Sequence, residues 1–98
     1  MSQPLNLQIE ALARALVSSA KAGEWHALAR HDRLAGELVK KLQPVPAHLS
    51  EAFHVLKSSH QEAMDLVDAE QQRLEQLLAG HRERQEGLRA YQQLEENP

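Results

Sequence analysis

The sequence has no cysteine, a single tryptophan, tyrosine and phenylalanine, and only four glycines and four prolines. Without cysteine there is no disulfide framework, no thiolate metal site and no cysteine nucleophile. Glycine and proline fall almost entirely between periodic stretches, which leaves few places to turn a multi-stranded sheet. No apolar run reaches the roughly 18 residues that a membrane span needs. The opening Met1-Ser2-Gln3-Pro4-Leu5 has no basic region ahead of an apolar segment, so neither general secretion nor membrane insertion is expected, and the expected location is cytoplasmic.

What is present is leucine and alanine. Of the apolar residues, 16 are Leu and 14 are Ala, against 5 Val and 1 Ile, a balance that belongs to helices. The fold class expected is all-α. With 98 residues the chain can support one helical domain spanning 1–98, too small for most enzymes built on large cofactors. Charge is unevenly placed: residues 1–46 carry +2 and residues 47–98 carry −5. An acidic C-terminal half argues against nucleic acid as a ligand, because phosphate backbones are bound through clustered Lys and Arg.

Periodicity gives the elements. Leu5, Ile9, Leu12, Leu16 and Ala20 form one stripe on a helix over 5–22, widened by Ala13 and Val17. Gly23 is placed to close it, and Glu24 to open a second helix over 24–43 after a connection short enough for an antiparallel hairpin. On that helix Leu28, His31, Leu34, Ala35, Leu38, Val39 and Leu42 share one side. Pro44-Val45-Pro46 ends it. From Ala47 a heptad register sets Phe53, His60, Val67, Leu74, His81 and Leu88 at one position and Leu56, Ala63, Glu70, Leu77, Arg84 and Tyr91 at the other. Gly80 and the polar run after it suggest that a third helix over 47–79 stops there and a short, mobile fourth helix covers 81–95. The expected result is a hairpin plus a long third helix, a three- to four-helix bundle. At 1.5 Å per residue the hairpin helices span roughly 27–30 Å and the third roughly 50 Å, so about 20 Å of its apolar seam needs another cover.

Chemistry finds little footing. The six histidines lie mostly five or six residues apart, and the single Glu-x-x-His, Glu51 to His54, has no second copy, so no metal site is assigned. His31, His60 and His81 read as polar seam residues. No serine sits in a nucleophile elbow, and no glycine-rich phosphate loop occurs. The intertwined helical chorismate mutases line their pocket with several basic side chains, whereas the first helix here offers only Arg14 and Lys21. No enzymatic activity and no cofactor are expected. A helix-binding surface is.

The segment Ala20-Lys21-Ala22-Gly23-Glu24-Trp25-His26-Ala27-Leu28, continued by Asp32-Arg33-Leu34 and Glu37-Leu38, resembles the first hairpin of the FliT-type flagellar export chaperones, with its Ala-x-x-Gly-acid-Trp turn. Gly23 and Trp25 are the structural residues of that turn. The resemblance implies a cytosolic chaperone of the flagellar filament-cap protein, which binds that protein's C-terminal helical region and brings it to the type III export apparatus. In enteric members a terminal helix restrains binding and a flagellar master transcription regulator is a further partner; the resemblance leaves both open for this chain. On this reading the cap protein's terminal helix would occupy a groove bounded by Val39 and Leu42 of the second helix and Leu56, Met64, Leu66, Val67, Leu74 and Leu78 of the third, and would be kept from polymerising early. The alternative is a homodimeric coiled-coil adaptor in which two third helices cover each other.

Overall fold

A computed structural model describes residues 4–96; Met1, Ser2 and Gln3 of the opening segment lie outside the described residues. Three α-helices follow one another: α1 (Leu5–Ala22), α2 (Trp25–Lys41) and, after a single 3₁₀ turn at Ala47–Leu49, α3 (Ser50–Glu96). The described residues contain no strand. The chain divides into two compact units, Met1–Val67 and Asp68–Pro98.

In the first unit α1 runs over the span that its stripe predicts and ends in a Schellman turn. Gly23 takes φ 70° and ψ 23°. Its N–H donates to the Ala20 carbonyl at 3.2 Å and that of Glu24 to the Ser19 carbonyl at 2.9 Å, which pairs two of the carbonyls that a helix end leaves open. A residue with a Cβ is strained at this φ. Glu24 is the residue before α2 rather than part of its first turn, and its carbonyl accepts the Leu28 N–H at 2.9 Å. At the far end α2 stops at Lys41, two residues short of the expected 43. Pro44 lacks the N–H that would continue the ladder.

The core of this unit is built from one stripe of each element. Ile9, Ala13, Leu16 and Ala20 of α1 meet Leu28 and Ala35 of α2 and Leu49, Ala52, Leu56 and Ala63 of the 3₁₀ turn and α3. Half of these ten are alanines, and small side chains let helix backbones approach closely around the three large, fully buried residues Ile9, Leu16 and Leu49. The first heptads of α3 behave as the register requires, with Leu56 and Ala63 buried and Phe53, His60 and Val67 half-buried. Leu34, expected on the apolar side of α2, is half exposed; it lines an open furrow with Leu12, Ala15 and Leu38 instead of entering the core.

The second unit is helix alone. α3 passes through Gly80 and Gly87 without interruption, so the expected stop at Gly80 and the separate helix over 81–95 are replaced by one continuous helix. Each glycine costs roughly 1 kcal/mol against alanine in a helix. The surrounding Leu, Glu, Gln, Arg and Ala are strong helix formers, and two isolated glycines do not outweigh them. Glu70 and Arg73, one turn apart, form a two-point contact at 2.9 and 2.6 Å that supports the same stretch.

Candidate functional site

The eight residues expected to bound a groove take up different positions. Leu56 is 4% exposed and belongs to the core of the first unit, so it has little surface to offer a partner. Val39, Leu42, Met64, Leu66 and Val67 are half-buried and packed against the same core, where their burial is already spent on the fold of the unit. Leu74 and Leu78 alone among the eight are exposed, at 46% and 54%.

Two surfaces emerge from this distribution. On the first unit, Val39 and Leu56 share a shallow depression of about 530 Å³ with Ala35, Val45 and Phe53, rimmed by Lys40 and Lys57. At its edge His60 Nε2 lies 3.0 Å from Asp32 Oδ1, which ties α3 to α2. On the other side of the unit Lys21 Nζ is 4.0 Å from Glu62 Oε1 and links α1 to α3. Both contacts are half exposed and each is worth little on its own.

On the second unit, Leu74, Leu77, Leu78, Leu88 and Tyr91 are all exposed. At 100° per residue they fall within about 140° of arc, a single stripe on one face of α3. Leu94 is also exposed but falls off that stripe. Leu88 and Tyr91 were absent from the expected groove because the polar run after Gly80 suggested an end to the helix, whereas Leu77 lies within the expected third helix and was not among the groove residues. The signal that finds them is the heptad register itself, continued through the glycines. Beside the stripe, the Arg73 guanidinium hydrogen-bonds the Glu70 carboxylate and holds its pKa below the ordinary carboxylate value, while Arg73 itself is raised by the same contact.

The stripe offers apolar contact and no reactive centre. Among the described residues no group of three or more His, Asp or Glu side chains is placed to hold a metal ion, and no helix is long and apolar enough to cross a membrane. The sequence matches the family model for "Flagellar protein FliT" over residues 6–93. The chain belongs to the FliT family. No curated protein and no solved structure matches it. FliT is a family of chaperones rather than of enzymes, and membership implies a flagellar export chaperone role with flagellar proteins as partners. Gly23 and Trp25 sit at the hairpin turn. Trp25 Cζ2 stands 3.9 Å from where a Cβ on Gly23 would lie, with the tryptophan 42% exposed.

Proposed function

We propose that this chain is the export chaperone of the flagellar filament-cap protein, acting in the cytoplasm. Its cargo surface is the stripe carrying Leu74 and Leu78, extended by Leu77, Leu88 and Tyr91. The cap protein's C-terminal helical region lays its own apolar face along this stripe, which keeps that region from polymerising before export and lets the pair reach the export apparatus. The half-buried Val39, Leu42, Met64, Leu66 and Val67 serve in this reading as the packed base of the first unit rather than as primary contacts.

The observation that carries the reading is the exposure of the stripe in a chain of a chaperone family. A face of several adjacent leucines is costly to leave in water, at about 25 cal/mol for each Å² of apolar area, and that area is available to a partner. The test is capture of the purified cap protein by Leu74→Asp, Leu78→Asp chaperone. The double variant is expected to lose capture while its helical circular dichroism stays at the wild-type level, because neither side chain belongs to the core. Undiminished capture would overturn the reading.

A further inference from the structure

The outer side of α2 is basic. At 100° per residue His26, Arg30, Arg33, Glu37, Lys40 and Lys41 fall within about 100° of arc, opposite the buried Leu28 and Ala35. All six are exposed. From His26 to Lys41 the stripe runs about 22 Å along the helix. Among the described residues none of its four cations pairs with a carboxylate, and Glu37, one turn from both Arg33 and Lys41, bridges neither. Lys40 and Lys41 lie in the last turn, where the helix dipole favours them. Arg30 and Arg33 have no such support: one turn apart in mid-helix they repel each other, and the fold gains nothing from their being neighbours.

Beside the stripe lies the furrow between α1 and α2, about 520 Å³ in volume. Ala11, Leu12 and Ala15 of α1 and Leu34 and Leu38 of α2 line it. Leu34 stands 50% exposed there. Glu37 and Lys41 belong to both furrow and stripe, so apolar floor and charged rim are continuous. The depression shared with α3 is on the other edge of α2, where Asp32, Gly36 and Gln43 line it.

We propose that the furrow is the docking site for an amphipathic helix of another protein, one with aliphatic residues along one face and carboxylates along the flank. The aliphatic face fills the furrow over Leu12, Leu34 and Leu38, and the carboxylates meet Arg30, Arg33 and Lys41 at the rim. Shape and charge together point to this occupant. A helix presents a convex ridge of side chains, and a concave furrow between two helices takes such a ridge as one helix takes another. A bilayer surface is too flat to fill the furrow, and the phosphates of a nucleic acid would leave its leucines uncovered. A second copy docked through this same face would set one basic stripe beside another, a like-charge contact.

The site does not rest on the cargo reading, because its residues all lie in the first unit, whereas Leu74 and Leu78 lie in the second. The test uses the full chain and a labelled helical peptide of about 18 residues, long enough to span the stripe. The peptide carries leucine at every third or fourth position and glutamate along the flank, and binding is read by fluorescence anisotropy. The chain is expected to bind it, and to bind the same peptide with lysine in place of glutamate at least about tenfold more weakly. Arg30→Glu with Arg33→Glu should weaken binding by about tenfold or more, and Leu34→Asp likewise. Helical circular dichroism should stay at the wild-type level, since all three side chains are exposed. Leu74→Asp with Leu78→Asp should leave binding of this peptide unchanged, which separates a failure here from a failure of the cargo reading. Absence of binding, equal binding of the lysine peptide, or loss of binding in the Leu74, Leu78 variant would each overturn the proposal. So would a DNA duplex or phosphatidylserine vesicles that bind through Arg30 and Arg33 and are indifferent to Leu34→Asp.

Discussion

His60 Nε2 stands 3.0 Å from Asp32 Oδ1 and joins α3 to α2 across the edge of the depression that Val39 and Leu56 line. Both side chains are close to half exposed, so solvent screens the contact. A double-mutant cycle with Asp32→Asn and His60→Gln, read by urea unfolding, is expected to give a coupling of about 0.2–1 kcal/mol. Added salt should reduce it. A coupling of several kcal/mol would mean that the pair is far better shielded than its exposure indicates.

Glu70 makes the sharper electrostatic prediction. The hydrogen bond from Arg73 holds the Glu70 carboxyl below its ordinary value; desolvation opposes it, and the charge of Arg73 adds a smaller lowering. For a carboxyl whose folded value is lowered, the stabilising contribution is present above the unfolded value and is lost as pH falls through the lowered folded value. Side-chain carboxyl NMR should therefore show Glu70 titrating below the ordinary carboxylate value. Arg73→Gln should return it toward the ordinary range. A midpoint unmoved by that substitution would show that the contact does not persist in solution.

How far the sequence could be read depended on whether the deciding interaction was local. The span of α1 followed from its stripe, and the turn at Gly23 from the need for a left-handed residue, both settled within a few positions. The continuation through Gly80 was missed because glycine and a polar run are local stop signals, whereas helix persistence is a sum of propensities over many residues that no single position announces. The groove residues separate for a different reason. A heptad register says which residues share a face but not which neighbour covers it, so Leu56, under the hairpin, and Leu74, exposed, occupy alternate seam positions of one register and look alike in the sequence. Leu34 shows the same limit on α2: its periodicity is that of a core residue and its environment is an open furrow.

The division between core and stripe predicts two classes of leucine. Leu16 is fully buried, so Leu16→Ala should cost about 2–5 kcal/mol in urea unfolding, through lost transfer energy and the cavity left behind. Leu74→Ala, at a half-exposed position outside the core, should stay within about 0.5 kcal/mol in the monomer. Equal losses at the two sites would mean that the stripe is part of the fold after all, and would undercut its assignment as a binding surface.

The glycines separate in the same manner. At Gly23 the φ of 70° strains any residue with a Cβ, and Gly23→Ala should lower stability by about 1–2 kcal/mol even though the nearest atom, Trp25 Cζ2, is 3.9 Å from the new methyl group. Gly36 lies within α2 with nothing within 4 Å of an added Cβ. Gly36→Ala should therefore gain about 0.5–1 kcal/mol, because alanine loses less conformational freedom on entering a helix. Opposite signs from the same chemical change would locate the effect in the backbone, since packing offers neither methyl an obstacle. If Gly23→Ala proved neutral, the left-handed turn that closes α1 would not be the conformation held in solution.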